Sequence, residues 1–293
     1  MELADTIARY IGKLERMETA IPGVMLARRT APTPPCSVTY GPSIVVVAQG
    51  RKRVDLGANT FYYDSSHFLL TSLDLPAIAS VVDASTVEPC LAVLIRIDMA
   101  VVRELLAHDE AVVAEPSPNT PGMVVAEATP EFLDACCRLL RLLSTPGDVP
   151  ILSGLIQREI LYRVLRSAEG ARLRAIARQG EQSHRTAKAI AWIRGNYQQP
   201  LRIDELAQVA GMGVSTLHHH FRALTAMSPL QYQKQVRLQM ARSRMLMDGI
   251  DANAAAFEVG YESASQFSRE YSRFFGQPPV RDVRLARGVS STG

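Results

Sequence analysis

The stretch VGYESASQFSREYSRFFGQPP, residues 259–279, repeats the order of residue types found about 50 positions earlier in AGMGVSTLHHHFRALTAMSPLQY, residues 210–232. In both copies a glycine is followed by a helix start, two large apolar residues four positions apart, and a closing proline. The glycines are Gly211 and Gly260, each four residues after an alanine, and glycine tolerates the positive φ of a sharp turn. The pattern predicts two helix-turn-helix units.

The second helix of each unit is predicted to separate an apolar face from a polar one. Large apolar residues one helical turn apart, Leu217 and Phe221 in one copy and Phe267 and Tyr271 in the other, are expected to be buried. The opposite faces are polar and short enough to enter the major groove of DNA. The residues predicted to contact DNA are Ser215, Thr216, His218, His219 and Arg222 in the first copy and Ser263, Ser265, Gln266, Ser268, Arg269 and Arg273 in the second.

The two predicted recognition helices are not equivalent. Ser263 is followed three residues later by Gln266, a spacing that predicts a capping box, whereas Gly213 offers no side-chain acceptor. Arg269 is the best candidate for reading a base, because a guanidinium can bond guanine O6 and N7 together. His218 and His219 can each make fewer hydrogen bonds than an arginine. Three successive histidines also fit a helix face that only contacts solvent. Three further arginines are expected to contact phosphates or form linker-helix salt bridges: Arg222, Arg237 and Arg273.

These motifs resemble the AraC/XylS family of transcription regulators, through the two quoted stretches and the RLQMARSRMLM segment, residues 237–247. The resemblance implies two helix-turn-helix units joined by a long rigid helix, which residues 229–247 match. It also implies sequence-specific DNA binding. The sequence departs from the family pattern at Gly213, where Ser is usual, at His219, where many members have Arg, and at Ala226, where Gly is common.

Length and charge divide the chain into two parts. A chain of 293 residues suits two domains, which we place at residues 1–180, for effector binding and dimerisation, and 181–293, for DNA binding. The boundary is assigned to the polar, basic segment 169–182. From His184 onward 14 Lys or Arg face 8 Asp or Glu, a net +6, whereas the whole chain carries +3. A basic C-terminal part is typical of a DNA-binding module, and we expect residues from about 183 onward to fold and bind DNA alone.

The N-terminal half is rich in short runs of Val, Ile, Thr and Tyr at a spacing typical of a small antiparallel barrel or sandwich. The predicted strands are residues 37–40, 43–50, 52–57, 60–64, 67–72, 77–83 and 91–98. The stretches SLDLP, residues 72–76, and EPCLAVLIRID, residues 88–98, resemble the cupin-type sensory domain of one AraC-family branch. The predicted fold class is therefore α+β, an N-terminal antiparallel β-barrel with flanking helices before an all-α C-terminal domain.

Helical periodicity covers much of the remaining N-terminal half. An amphipathic first helix buries Leu3, Ile7, Ile11 and Leu14, a further helix begins at a Ser183 cap, and three lie at residues 99–108, 131–143 and 150–168. A Pro/Gly-rich connection, residues 115–122, is not expected to be helical. The wide apolar faces of the last two helices either cover the barrel or pair with a second subunit, and the family resemblance implies a homodimer.

Neither a metal site nor an enzyme is predicted. Only His67 of six histidines falls among the strands, and a metal site needs three or four converging ligands. The four cysteines, Cys36, Cys90, Cys136 and Cys137, form no CxxC pair, so we expect buried free thiols in a reducing cytoplasm. No nucleophile-base pair or paired carboxylate set is visible, so no cofactor is expected.

The leading hypothesis is a ligand-responsive transcription regulator that reads two successive major-groove segments about one turn, roughly 34 Å, apart, with an activator as the working assignment and repression left open. Its expected partners are double-stranded DNA, RNA polymerase, an unidentified small-molecule effector and a second copy of the chain. No apolar run approaches 18 residues and no signal peptide is present, so a cytoplasmic location without membrane contact is expected. Two alternatives stay open: a barrel that serves only dimerisation or polymerase contact, and a cupin enzyme with a DNA-targeting module.

Overall fold

The computed structural model describes residues 2–108, 121–178 and 181–290. The strands are β1 Arg16–Glu18, β2 Val24–Arg29, β3 Cys36–Tyr40, β4 Ser43–Gln49, β5 Arg51–Leu56, β6 Asn59–Tyr63, β7 His67–Thr71, β8 Leu75–Asp83, β9 Cys90–Arg96 and β10 Met123–Glu127. The helices are α1 Glu2–Ile11, α2 Met99–His108, α3 Pro130–Arg141, α4 Val149–Arg166, α5 Ala171–Ala177, α6 Gln182–Gly195, α7 Ile203–Ala210, α8 Val214–Thr225, α9 Pro229–Met247, α10 Ala252–Glu258, α11 Ala264–Phe275 and α12 Pro279–Ser290.

The N-terminal strands pair antiparallel in two sheets that pack on each other. One sheet has the order β1-β2-β9-β4-β7-β10 and the other the order β3-β8-β5-β6. The predicted antiparallel domain is confirmed, although the described strands form two packed sheets and no closed barrel. All seven predicted strands are present, as β3 to β9. Strands β1, β2 and β10 are not among the predicted strands.

Strand β4 shows why the larger sheet is buried on both faces. Alternate side chains point to opposite faces of a strand, and Ile44 and Val46 pack under the helices while Val45 and Val47 face the other sheet. We call the first region the outer core, formed by the larger sheet with α1, α3 and α4. In it Phe68 stacks on Phe132 of α3 with ring centroids 4.4 Å apart. Helices α3 and α4 therefore cover the sheet.

Several helical predictions need correction at individual residues. Leu14 lies beyond the end of α1 and is exposed, because the helix stops at Ile11. Helix α6 begins at Gln182 with Glu181 at the N-cap position, so Ser183 does not cap it. Instead Ser183 is buried and its hydroxyl accepts a 2.7 Å hydrogen bond from Arg172.

The segment predicted to be a polar domain boundary contains a buried helix, α5. Arg172 and Arg174 are each only 4% exposed, and Arg174 donates hydrogen bonds to the carbonyls of Leu165 and Ser167. Carbonyls at the end of a helix lack helical partners, so they can bond a guanidinium under the surface. Residues 179–180 of this segment lie outside the described residues, as do residues 115–120 of the predicted Pro/Gly-rich connection.

A second core continues from the sheets into the first helix-turn-helix unit. We call it the inner core, and it joins Val45, Leu69 and Tyr63 of the sheets to Phe221 and other residues of the helices. The second unit has its own core, the C-terminal core, built around Phe267, Tyr271 and Leu238. The sheets therefore supply part of the core of the first unit, so residues from about 183 onward do not contain all of that core.

Polar contacts reinforce the join between the sheets and the first unit. The Tyr232 hydroxyl donates to the Asp74 carbonyl at 2.8 Å, and Arg194 forms a 3.3 Å ion pair with the Asp74 carboxylate. The side chain of Gln239 on α9 donates to the Ser37 hydroxyl at 2.8 Å and to the Val38 carbonyl at 3.0 Å. The N-terminal sheets thus hold the helices by side chains as well as by the inner core.

Cysteine placement follows the sequence in part. Cys90, Cys136 and Cys137 are buried free thiols, as predicted, but Cys36 at the start of β3 is exposed.

Among the described residues no single helix has the length and apolar character to cross a membrane, while the bent pair Pro130–Ser144 and Pro146–Arg166 meets the length and composition test together.

Candidate DNA-binding surface

The first helix-turn-helix unit pairs α7 with α8 across a glycine turn. Gly211 adopts a left-handed conformation with φ 64° and caps the end of α7. The Met212 amide then donates to the Ala207 carbonyl at 2.9 Å. Ala207 is buried, and its small side chain lets the two helices approach. The predicted roles of the alanine and the glycine are confirmed here.

The second unit, α10 with α11, repeats this geometry. Gly260 has φ +91°, and the Tyr261 amide donates to the Ala256 carbonyl at 3.0 Å. Ala256 is fully buried. The side chain of Asp251 caps the start of α10 by accepting hydrogen bonds from two backbone amides. Both copies of the repeat therefore fold as the same unit.

The caps of the two recognition helices differ, as predicted, but the capping box is incomplete. Gly213 makes no side-chain bond, whereas the Ser263 hydroxyl accepts from the Gln266 amide at 3.3 Å. The side chain of Gln266 does not return this bond and donates to Glu270 at 3.2 Å, because that acceptor lies one turn further along. A complete capping box occurs instead at Ser228 and Gln231, where α9 begins.

Helix α8 presents its predicted polar face to solvent. Leu217 and Phe221 are fully buried, and Phe221 packs edge-on against the Tyr232 ring at 5.6 Å. On the opposite side five predicted contact residues are exposed: Ser215, Thr216, His218, His219 and Arg222. A recess of about 440 Å³ lies on this face, lined by His218, His219, Arg222, Ala223 and Ser228.

Helix α11 presents a comparable face. Phe267 and Tyr271 are fully buried, while Ser263, Ser265, Gln266, Arg269 and Arg273 are exposed and Ser268 is half-buried. Small serines beside Arg269 allow the helix backbone to approach a surface closely. Neither Arg269 nor Arg273 forms an ion pair with any residue that the structure describes, so both guanidinium groups face solvent.

The third histidine, His220, behaves differently from its two neighbours. It is only partly exposed, and burial lowers its pKa, with nearby His219 and Arg172 lowering it further. Its ring contacts that of His219 edge-on at 5.3 Å. His220 therefore belongs to the packed side of α8 and not to its polar face.

Arg237 does not have either role predicted for it. Its guanidinium donates to four backbone carbonyls and is half-buried, so it is neither a phosphate contact nor a salt-bridge residue. In the sheets, His67 is exposed and bonded to Asp64 at 3.3 Å. Within residues 2–108, 121–178 and 181–290, no three His, Cys, Asp or Glu side chains are grouped as a metal site.

Polar side chains lie between the two sheets, in the domain for which the sequence predicts effector binding without assigning residues to it. The hydroxyls of Tyr63 and Thr71 are buried there without a hydrogen bond of normal geometry to any described residue. Burial, and to a lesser degree nearby Tyr40, raise the pKa of Tyr63. Burial also lowers the pKa of Lys52. Lys52 lies two residues before the inward-facing Val54 on β5. Side-chain alternation therefore places Lys52 on the inner face and could have identified it from the sequence.

Two segments of the chain match known families. Residues 20–172, more than half of the chain, match the family described as AraC-type transcriptional regulator N-terminus. The chain belongs to the AraC family of transcription regulators. Residues 206–284, which include both repeat units, match a helix-turn-helix domain family. The family consists of DNA-binding regulators and not of enzymes.

Two curated relatives come from Pseudomonas aeruginosa. The HTH-type transcriptional regulator ArgR is 26% identical over 153 residues, which cover 52% of this AraC-family chain and 46% of ArgR. The HTH-type transcriptional regulator ExsA is 27% identical over 161 residues, which cover 55% of this chain and 57% of ExsA. The chain thus spans about half the length of the curated relatives it matches.

The whole architecture also has a solved counterpart. The wild-type ToxT of Vibrio cholerae strain SCE256, bound to an unsaturated fatty acid, superimposes with a TM-score of 0.59. The match covers 91% of this chain and 97% of ToxT at 9% identity. At this identity the likeness establishes a shared fold.

Proposed function

We propose that this AraC-family chain is a ligand-responsive regulator that inserts α8 and α11 into two successive major-groove segments on one face of DNA. The observation that carries the proposal is the pair of equivalent units, each burying the apolar side of its second helix and exposing the polar side. Successive major-groove segments are about one turn, roughly 34 Å, apart.

The exposed residues divide by the bonds they can make. Arg269 reads a guanine through its two-pronged guanidinium, and His218 and His219 bond base edges or phosphates. Arg222 and Arg273 neutralise phosphates and position the helices without reading sequence. Short polar contacts at the helix starts and beside the arginines come from the remaining residues: Ser215, Thr216, Ser263, Ser265, Gln266 and Ser268.

Selection of bound fragments from a random DNA pool tests this function. The expected outcome is a recurrent site with two conserved segments centred about one helical turn apart. Arg269→Ala should lose preference within one segment only, while Arg273→Ala should weaken binding to all fragments alike. Recovery of no preferred sequence by the parent chain would refute the proposal.

We further propose that the effector binds between the two sheets and carries a carboxylate. Two buried hydroxyls, Tyr63 and Thr71, can donate to such a group, and Lys52 supplies a positive charge on the same face. A buried polar group without a partner costs free energy, which a bound acceptor recovers. The fatty acid in ToxT, a protein of the same fold, is consistent with this ligand class.

Thermal unfolding in the presence of candidate compounds tests the effector proposal. A ligand at 100 times its Kd should stabilise the chain by about 2.7 kcal/mol. Fatty acids and short carboxylic acids should raise the Tm, while uncharged analogues should not. Lys52→Met should abolish the shift, and the exposed control Lys188→Met should retain it. If no acid shifts the Tm, the alternative of a domain that serves only dimerisation or polymerase contact is favoured.

A homodimer is proposed through α4. Three apolar residues on one face of this helix are exposed: Ile151 by 71%, Leu155 by 60% and Tyr162 by 48%. Side chains spaced in this way form a continuous stripe, and exposed apolar patches mark interaction sites. Leu155→Glu should yield a monomer in sedimentation equilibrium. The isolated exposed residue Val87, changed to Glu, should leave the dimer intact.

RNA polymerase contact and activation are proposed for the second unit. Met247 and Phe257 are exposed apolar residues on α9 and α10, two helices that the 3.8 Å ion pair of Arg244 and Glu258 joins. Phe257→Ser should reduce transcription from a reconstituted promoter without changing DNA affinity. We also propose that the chain divides into domains 1–180 and 181–293. A cytoplasmic location is proposed as well.

A further inference from the structure

Linker helix α9 passes from one core to another at a single position. Tyr232 and Val236 belong to the inner core that includes the first unit, whereas Leu238 and Ala241 belong to the C-terminal core of the second unit. Arg237 lies between them. The residue therefore stands where the two helix-turn-helix units meet.

The guanidinium of Arg237 connects segments from both units. Its Nε donates to the Tyr197 carbonyl at 2.6 Å, and Nη2 donates to the carbonyls of Gln198 and Gln199 at 3.1 and 3.0 Å. Nη1 donates to the Gly260 carbonyl at 2.9 Å. Residues 197–199 form the connection that leads into α7, and Gly260 is the turn that leads into α11. One side chain thus ties the approach to one recognition unit to the turn of the other.

The bonds are made to neutral carbonyls under partial burial. Burial lowers the pKa of Arg237, and among the described residues no carboxylate lies within ion-pair distance of it. Hydrogen bonds from a charged donor are stronger than those between neutral groups. A lysine, with its single ammonium group, cannot reproduce the planar fork that reaches four acceptors.

Gly260 makes this contact tight. A Cβ added at Gly260 would lie 2.0 Å from the Gln198 carbonyl oxygen, so the turn packs directly on the connection before α7. One helical turn before Arg237, the buried Gln233 side chain donates to the carbonyls of Tyr197 and Gln199 at 3.1 and 2.7 Å. Backbone packing and two side chains of α9 therefore hold the connection before α7 against the turn before α11.

Resting on the proposed function of α8 and α11 as recognition helices, we propose that Arg237 is a positioning residue that fixes the distance and angle between them. Because DNA presents its major groove once per turn, the angle between the helices determines which spacing of the two half-sites is bound. Arg237 accordingly determines specificity for half-site spacing while touching no base.

Binding to DNA with altered spacing tests this role. Starting from a site selected by the parent chain, one base pair is inserted or deleted between the two half-sites. The parent should lose about tenfold in affinity, or about 1.4 kcal/mol. Arg237→Lys and Arg237→Met should bind the original site several-fold more weakly and lose less than about threefold on insertion or deletion. Base preferences within each half-site should be unchanged.

Lys188→Met is the control for loss of a positive charge, because Lys188 is exposed on α6 and forms no ion pair with any described residue. It should keep the parent's spacing preference. A folded Arg237 variant with the parent's spacing preference would overturn the proposal. Unfolding of both Arg237 variants would also overturn it, since Arg237 would then be required for stability and not for orientation.

A distance measurement without DNA gives a second readout. Spin labels at Ser215→Cys and Ser265→Cys, in a Cys36→Ser background that removes the exposed thiol, report the separation of α8 and α11. The parent should give a narrow distribution, and the Arg237 variants a broader one. Distributions of equal width would contradict the positioning role.

Discussion

At the scale of single residues, Ala226 is held in an unfavourable conformation. It has φ 59° at the C-terminal cap of α8 and is the single non-glycine residue with positive φ in the described ranges. This region costs an L-residue roughly 1 to 2 kcal/mol. Ala226→Gly should therefore raise the free energy of unfolding by about 1 kcal/mol, measured by urea denaturation.

Ala223→Gly, inside the same helix, is the opposite control and should lower stability by about 1 kcal/mol, because glycine is a poor helix former. A loss of stability in both variants would show that the Ala226 methyl group, which lies against Gly57, contributes more through packing than its backbone conformation costs.

Phe221 tests the assignment of the buried face of α8. Its ring is fully buried and packs against Tyr232, so Phe221→Ala should destabilise the chain by about 3 kcal/mol or more. DNA binding should weaken indirectly, in proportion to the unfolded fraction. A calorimetric Tm equal to that of the parent would mean that Phe221 is not part of the core.

At the scale of elements, the two recognition helices should contribute unequally. Helix α11 has a side-chain cap at Ser263 and the permanently charged Arg269, whereas α8 lacks a cap bond and presents His218 and His219. Arg269→Ala should cost about 1 to 3 kcal/mol at its own base pair, and His219→Ala should cost less. DNA-binding titrations of both variants at one salt concentration measure the two losses. A larger loss of affinity for His219→Ala than for Arg269→Ala would reverse this ranking.

Elements whose signals are local could be predicted from the sequence. Helix α9 has the predicted bounds, because Ser228 and Pro229 mark its start, and the alternating strands β3 to β9 were found. Strands β1, β2 and β10 were missed, since they lack a long alternating run. Helix α5 was interpreted as a linker because its arginines look solvent-exposed in the sequence, and carbonyl partners such as those of Arg174 arise only in the tertiary structure.

In the candidate site, too, features with local signals could be predicted and features that depend on tertiary contacts could not. The exposed faces of α8 and α11 follow from helical periodicity, whereas the roles of Gln266 and Arg237 depend on acceptors brought close by folding. Spacing predicted a capping box at Gln266, but Glu270 one turn away competes for its side chain. The exposed surface therefore follows from the sequence more fully than the hydrogen bonds that hold it in place.

At the scale of the whole molecule, the first unit shares its core with the sheets and the second does not. A fragment of residues 181–293 should therefore lose stability in α7 and α8 while α10 and α11 keep theirs. Hydrogen exchange of the fragment and the full chain should show faster exchange of the fragment in α7 and α8, with α11 as the internal reference. Equal protection of α8 in both proteins would show that the first unit does not depend on the sheets.

The central claim is that both recognition helices occupy the major groove on one face of the same DNA. Interference footprinting of the full chain on its selected site tests this most directly, because modification of major-groove guanines blocks contacts there. Two groups of interfering bases should appear about 10 base pairs apart, and Arg269→Ala should remove interference from one group alone. A single group of interfering bases, or two groups on opposite faces of the duplex, would contradict the account.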